Sequence, residues 1–267
     1  MTKIAFIGSG NMASAIAGGI VSSGLTQASN IVLFDKNIEQ YGKFHKDCFH
    51  ASSIEEAINI SNFIFISVKP QVAKEVLPII KSSSCLKDKV FVSICAGITI
   101  SSIEEYLPNT KIVRAMPNTP LLIGCGVTAL CKNANVSDED FDYVNKIFSS
   151  SGYVSLIEEK DMNNVTAITG SSPAYVYLFI KSIYESAKKN GFNYDDTVKM
   201  ICETVIGASK MILQSPLTID ELIQMVKSPN GTTERALNVL NDNNFESIIH
   251  DAIVACAKRA DELSKSL

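Results

Sequence analysis

The chain has 267 residues, 46% of them hydrophobic, with 24 basic against 28 acidic side chains. That length suits two domains with substantial cores, and the near balance of charge excludes a surface built for polyanions such as nucleic acid. Seven scattered cysteines, odd in number and with no C-x-x-C spacing, exclude a disulfide framework or a zinc site and fit a reducing cytoplasm. No apolar run reaches the ~18 residues of a membrane helix. Lys3 precedes apolar residues, but glycines and Asn11 break the run before a signal-peptide core accumulates.

In chain order, residues 3–7 read as a strand that runs straight into Gly8-Ser9-Gly10-Asn11-Met12-Ala13, and 13–23 as a helix. Strand 31–34 follows, ending at Asp35 and a polar segment. Then come helix 54–60, a strongly apolar strand 63–68 closed by Lys69-Pro70, helix 71–82, strand 90–95, helix 101–107 and strand 112–115. Strand 127–131, a helix from Ser137 as N-cap to 148, and strand 153–156 extend the series. Strands alternating with helices, and apolar without period-2 alternation, give a parallel, doubly wound sheet covered on both faces. After about residue 160 the strand signals stop. Residues 162–169, 174–190, 194–213, 218–226, 232–240 and 245–264 read as helices, with Gly191 as a helix-ending glycine and Pro216 as a breaker. The fold class is therefore α/β, a dinucleotide-binding domain over 1–160 followed by an all-α domain over 161–267. Much of helix 174–190 is apolar on more than one side, which predicts burial by a second subunit.

The turn at 8–13 is the sharpest local signal. Gly8 permits the tight turn and Gly10 keeps a side chain away from a pyrophosphate. The first N–H groups of the next helix then face the phosphates with the positive end of the helix dipole behind them. A G-x-G-x-x-G pattern alone is weak; its place between a strand and a helix strengthens it. Ala13 replaces the third glycine, so helix and strand are expected to pack slightly less closely. Asp35, at the end of the second strand, can accept both ribose hydroxyls of NAD and repel a 2′-phosphate, while Lys36 can offset that repulsion. The alternative for this pair is a solvated loop charge pair.

Ser67-Val68-Lys69-Pro70 and Cys95-Ala96-Gly97 close two further strands at the carboxyl ends that line the ligand crevice of an open sheet. Lys69 stands where a cofactor ribose could lie, and the small residues 95–97 suggest close approach of a ring; a loop charge and a simple turn are the plain alternatives. In Arg114-Ala115-Met116-Pro117-Asn118-Thr119-Pro120, two prolines stiffen the backbone around Asn118. Ser228-Pro229-Asn230-Gly231-Thr232-Thr233-Glu234 is a turn that opens a helix, so Gly231 and the N–H groups of Thr232 and Thr233 form a second anion-binding helix end. His45, His50 and His250 have no metal spacing and no triad partners. Glu55/Glu56 and Glu158/Glu159 read as solvated charges, and no covalent nucleophile stands out.

With Thr169-Gly170-Ser171-Ser172-Pro173-Ala174-Tyr175 added, these motifs come in an order that resembles pyrroline-5-carboxylate reductase over residues 1 to about 260. The family usually has glycine where Ser172 and Asn230 stand. The resemblance implies an NAD(P)H-dependent oxidoreductase, cytoplasmic, that reduces Δ1-pyrroline-5-carboxylate to L-proline, the last step of proline biosynthesis. It implies that Ile7, Gly8, Ser9, Gly10, Asn11, Met12 and Ala13 hold the pyrophosphate of NADPH or NADH, and that Ser53 touches the adenosine ribose, where the strand-end reading already sets Asp35 and Lys36. Ser67, Val68, Lys69, Pro70, Cys95, Ala96, Gly97 and Asn118 would lie at the nicotinamide end. Ser228, Asn230, Gly231, Thr232 and Thr233 would take the substrate carboxylate, with Thr233 hydrogen-bonding the ring nitrogen. It also implies a homodimer through the helical domain or a higher assembly such as a decamer; the charge balance and the short apolar runs point to no nucleic-acid or membrane partner.

Two other readings compete. A β-hydroxyacid dehydrogenase of similar build should carry a catalytic lysine early in the helix after the nucleotide domain, but the first lysine there is Lys181, about three turns along. A non-catalytic nucleotide sensor would bind NAD(P)H yet need no second anion site.

Overall fold

A computed structural model describes residues 2–264. The chain divides into two compact units, Met1–Pro173 with Ala255–Leu267, and Ala174–Val254.

The first unit is built on an eight-stranded sheet in the order β3-β2-β1-β4-β5-β6-β7-β8. The strands are β1 (Ile4–Ile7), β2 (Ile31–Phe34), β3 (Phe49–His50), β4 (Phe63–Ile66), β5 (Val90–Ser93), β6 (Lys111–Pro117), β7 (Gly126–Lys132) and β8 (Gly152–Leu156). Its helices are α1 (Asn11–Ser22), α2 (Ile54–Asn59), α3 (Pro70–Lys81), α4 (Ile100–Glu104), α5 (Asp138–Ser149) and α6 (Met162–Val165). The four-residue strands β1, β4 and β5 are buried along their whole length, because both faces of the sheet are covered. Alternate side chains serve opposite layers. Ile4, Phe6, Leu33, Phe65 and Val92 pack against Ile16 and Ile20 of α1 and Ile147 and Phe148 of α5. Ala5, Ile7, Ile64, Ile66 and Phe91 pack against Ile58 of α2, Leu77 and Ile80 of α3, and Ile103 of α4.

Chain order reverses at β1, which lies between β2 and β4. The helix that leaves β1 covers one face and the helix that leaves β4 covers the other. This opens a crevice outside the carboxyl ends of these two strands, where ligands bind in open α/β sheets.

The sequence predicts a parallel sheet throughout, and here the structure differs. β7 runs antiparallel to β6, while β8 is again parallel to β7. The link from β6 to β7 holds only the short 3₁₀ turn Thr119–Ile123, and a parallel return needs a crossover of a dozen or more residues. β3 is also absent from the sequence reading. It is two residues long, exposed, and carries no apolar run. After α6 the chain widens into one π-helical turn, Thr166–Gly170, rather than continuing as a plain helix. Ser137 caps α5 as expected, accepting from the Asp140 N–H at 3.2 Å.

One buried charge needs an account. Arg114 on β6 is 3% exposed. Burial pulls its pKa below the ordinary arginine value, and the Glu159 carboxylate works against that shift. The guanidinium donates to Glu159 Oε1 at 3.3 Å and to Asn163 Oδ1 at 2.8 Å. Glu159 also accepts from the Ile100 N–H at the start of α4, at 2.6 Å, and Asn163 donates to Asp261 at 2.7 Å. Glu159 is thus a structural partner, which corrects its reading as a solvated charge; Glu158 meets only Lys160 on the surface.

The second unit holds the rest of α7 (Ser172–Lys189), α8 (Tyr194–Gln214), α9 (Ile219–Val226), α10 (Thr232–Asp242) and the first half of α11 (Phe245–Ser264). Local signals set these ends. Asn193 caps α8, Thr218 and Glu221 form a reciprocal capping box on α9, and Gly191 takes φ +85° after α7. Within this unit only Thr197 and Ile201 are buried. Leu178, Leu213, Met225 and Val239 remain 58–83% exposed. No helix among the described residues is long and apolar enough to cross a membrane.

Glu159→Ala is expected to lower the unfolding free energy by ~2–4 kcal/mol, because it leaves the buried Arg114 without its counter-charge. Glu158→Ala should change it by less than ~0.5 kcal/mol. Urea denaturation of the two variants checks the contrast.

Candidate active site

The crevice is organised by Gly8. Its φ of +95° is a left-handed conformation, and a Cβ there would lie 2.8 Å from the Ser67 carbonyl. Around it the three strand ends are tied together. Gly8 N–H donates to Phe34 O at 2.8 Å, Ser67 N–H donates to Ile7 O at 2.9 Å, and Ser67 Oγ donates to Gly8 O at 2.7 Å. Ser67 is therefore committed to the scaffold.

Gly10 behaves differently. It is the N-cap of α1, with φ −76°, and a Cβ built on it meets no protein atom within 4 Å. Nothing in the fold demands glycine at this position. No side chain caps α1 either, so the N–H groups of Asn11, Met12 and Ala13 keep the orphan donors of a helix start. A backbone cleared of side chain, in front of uncapped N–H groups, fits a phosphate-bearing ligand. Ala13 is buried against the sheet, so the missing third glycine leaves the packing closed. The buried Ser9 Oγ has no hydrogen-bond partner.

A cavity of 380 Å³ opens beside this turn. Gly8, Gly10 and Ser67 form one end, Asp35, Lys36 and Asn37 form a polar lip, and Ile54, Val72 and Val76 form an apolar wall. Val68 and Lys69 also line it, and Lys69 ends on the exposed surface before Pro70 opens α3. The apolar wall comes from the buried faces of α2 and α3, legible as helical periodicity but not as a site. Ser53 lies next to the cavity, but its hydroxyl is spent on the α2 cap, accepting from Glu56 N–H at 3.0 Å. A larger recess of 790 Å³, bounded by Thr2, Gly24, Asn30 and Asp47, lies at the amino ends of the strands and has no α-helix start in its wall.

The remaining strand-end residues are mostly engaged with protein. Cys95 is buried, and desolvation pushes its thiol up to about 12. It donates to the carbonyls of Val68 and Ile66 at 3.2 and 3.4 Å. Gly97 has φ +76°, and a Cβ there would meet Leu263 and the Ala260 carbonyl on α11 at 3.1 and 3.5 Å. The smallness of 97 thus has a protein explanation in α11, while Ala96 stays half-exposed between them. Asn118 is buried and both ends of its amide are used. It donates to Thr169 O at 3.0 Å and accepts from Val127 N–H at 2.8 Å, joining β7 to the π turn.

In the second unit, Asn230 takes φ +59°, the left-handed conformation for which asparagine is tolerated and the more usual glycine is suited. Its N–H donates to Glu234 at 2.8 Å. Gly231 is the N-cap of α10, and a Cβ there would collide with the Ser228 side chain. No side chain caps α10, so Thr232 and Thr233 present bare N–H groups. The half-buried Thr233 hydroxyl has no partner among the described residues. Ser172 opens α7 directly after the π turn.

Comparison with known proteins decides the family. Residues 159–263 match the family model described as pyrroline-5-carboxylate reductase dimerisation, and residues 3–97 match one described as NADP oxidoreductase coenzyme F420-dependent. The chain is 37% identical to the pyrroline-5-carboxylate reductase of Escherichia coli over 99% of both chains. The chain belongs to the pyrroline-5-carboxylate reductase family. The reductase of Pisum sativum is 33% identical over 98% of this chain and 96% of its own. The crystal structure of the Plasmodium falciparum reductase with NADP bound has a TM-score of 0.92 at 35% identity, covering 98% of each chain. That of Coxiella burnetii gives 0.89 at 30% identity and 99% coverage of each. The dimerisation match of this reductase-family chain begins at 159, whereas compactness divides it after 173 and returns 255–267 to the first unit.

The two glycines of the turn should separate folding from binding. Gly8→Ala is expected to lose ~2 kcal/mol or more of stability through left-handed strain and the Ser67 contact. Gly10→Ala should change stability by less than ~1 kcal/mol yet raise the dinucleotide Kd by about tenfold or more. Thermal denaturation without ligand and equilibrium titration with NAD(P)H measure the two effects.

Proposed function

We propose that this chain catalyses the NADPH- or NADH-dependent reduction of Δ1-pyrroline-5-carboxylate to L-proline, the closing step of proline biosynthesis. The observation that carries the reading is the pair of uncapped helix starts, each behind a glycine turn: one at 8–13 and one at 228–233. A dinucleotide fold with only the first would bind a cofactor and leave the substrate unassigned. Family membership and the NADP-bound Plasmodium falciparum reductase support the same conclusion.

Bound NAD(P)H supplies the hydride. The chain's own residues then have four tasks. Ile7 to Ala13 receive the pyrophosphate on backbone N–H groups. Asp35 and Lys36, with Ser53 nearby, take the adenosine ribose. Ser67 to Pro70, Cys95 to Gly97 and Asn118 form the nicotinamide end, where Ser67, Cys95 and Asn118 act as rigid supports through their hydrogen bonds to the protein. In the last task, the N–H groups of Thr232 and Thr233 take the substrate carboxylate in a turn shaped by Ser228, Asn230 and Gly231, and the free Thr233 hydroxyl orients the ring nitrogen.

This chemistry does not require a strong acid–base pair. A protonated cyclic imine is already electrophilic at carbon, so positioning dominates the rate. Solvent water can protonate the nitrogen while Thr233 holds it.

We further propose a homodimer formed through the helical unit, with larger assemblies such as a decamer built from dimers. The exposed leucines, methionines and valines of 174–254 support it, since apolar surface of this extent marks an interface. The cytoplasm fits the seven cysteines, all free thiols.

Purified protein mixed with pyrroline-5-carboxylate and NADPH or NADH should lose absorbance at the nicotinamide band; no loss with either cofactor would sink the assignment. Thr233→Ala should lower kcat/KM by ~10- to 100-fold, the worth of one oriented hydrogen bond. An unchanged rate removes Thr233 from the mechanism. Sedimentation should give twice the chain mass or a multiple of it, and a monomer would contradict the proposed assembly.

A further inference from the structure

Asp35 stands at the lip of the cavity beside the glycine turn, and its geometry is more constrained than a surface carboxylate's. Both oxygens are anchored. Oδ2 accepts from Ser9 N–H at 2.6 Å and Oδ1 accepts from Asn37 N–H at 2.9 Å. The backbone on which the side chain stands is held as well. Asp35 N–H donates to the Tyr41 hydroxyl at 2.9 Å, and that hydroxyl donates back to Asp35 O at 3.3 Å. The Tyr41 ring in turn stacks on His50 of β3, with centroids 4.3 Å apart and planes at 21°. Tyr41 is a positioning residue for Asp35, and nothing in the sequence pattern signals it.

The fixed carboxylate forms the lip of the 380 Å³ cavity, between the phosphate-binding turn at Gly8 and Gly10 and the apolar wall of Ile54, Val72 and Val76. Were an adenine to lie against that wall and a pyrophosphate on the turn, Asp35 would be the group that meets the ribose between them. Three lysines stand around this lip, and among the described residues only Lys36 of the three is paired with an acid. Lys36 pairs with Glu75 at 3.2 Å, with both side chains about two-thirds exposed. Lys43 donates to Asn11 and Gln40 at 2.7 and 2.6 Å. Lys69 lines the cavity from the start of α3, beyond Val68. The chain's three arginines stand at 114, 235 and 259, so no guanidinium comes from the β2 loop to clamp a phosphate.

From this we infer that the chain discriminates against a 2′-phosphate and prefers NADH, with Asp35 as the specificity-determining residue. The inference rests on the dinucleotide-dependent reduction proposed above. The carboxylate's remaining lone pairs accept the 2′ and 3′ hydroxyls, whereas a 2′-phosphate would set a second negative group beside a carboxylate that cannot turn away. The screened Lys36–Glu75 pair offers no net charge in compensation.

Equilibrium titration of the full-length protein, followed by nicotinamide fluorescence, gives a Kd for each cofactor without turnover. NADH should bind at least about tenfold tighter than NADPH, the effect of one fixed like charge at close range. Asp35→Ser should reverse or abolish that ratio by strengthening NADPH binding. Glu75→Gln, on an exposed pair that the fold does not need, should free Lys36 and tighten NADPH while leaving NADH unchanged. Tyr41→Phe should narrow the ratio, whereas loss of support alone would weaken both cofactors in proportion. NADPH binding as tightly as NADH to the unaltered protein overturns this assignment and leaves the proposed reduction standing. Binding of neither cofactor overturns both.

Discussion

At Gly8 the backbone turns through φ +95° so close to the chain leaving β4 that a Cβ there would lie 2.8 Å from the Ser67 carbonyl. Much of the first unit is arranged so that this contact is possible. β1 must lie between β2 and β4, so that Gly8 N–H reaches Phe34 O while Ser67 reaches back to Ile7 and Gly8. The central strands must be apolar on both faces, because helices cover them from both sides. The reversal of chain order at β1 then leaves the carboxyl ends of β1 and β4 uncovered by any crossover. The cavity beside Gly8 and Gly10 is what remains when those packing demands have been met.

The two glycines of the turn illustrate different kinds of necessity. Gly8 is required by the fold, since any Cβ would strike a carbonyl that belongs to the scaffold. Gly10 is not: its φ is ordinary and its surroundings are open. A residue whose side chain is missing for no structural reason points to something outside the chain. Gly231 belongs with Gly8, because Ser228 fills the space beside it, and Asn230 supplies the left-handed residue that lets the turn reach α10.

Most elements were legible because their signals are local. Residues 245–264 form one helix as read, and Ser137, Gly191 and the apolar strands fall where capping and burial place them. What escaped was set by relations between distant segments. The reversed direction of β7 follows from a connection too short to cross the sheet. Glu159 looks solvated in sequence, and only the depth of Arg114 in β6 makes it a partner. Gly97 reads as clearance for a ring, yet it faces α11, more than 160 positions along the chain. The motif residues Ser67, Cys95 and Asn118 do stand at strand ends as expected. Their side chains, however, spend their hydrogen bonds on the protein, so proximity to a site and contact with a ligand are separate matters.

That separation bears on how such a reductase works. If hydride transfer to an iminium carbon is governed by placement, catalytic power resides in the rigidity of the groups that define the placement. The buried amide of Asn118, the thiol of Cys95 and the hydroxyl of Ser67 each brace a strand end without presenting a reactive group. Burial raises the Cys95 pKa to about 12, which keeps the thiol protonated, a hydrogen-bond donor to the Val68 and Ile66 carbonyls rather than a nucleophile. The bare N–H groups of α1 and α10 suit the same logic. A side-chain cap would stabilise each helix by about 1 kcal/mol but would occupy the donors that an anion needs. Both helix starts forgo that stabilisation, whereas α5, α8 and α9 all carry side-chain caps.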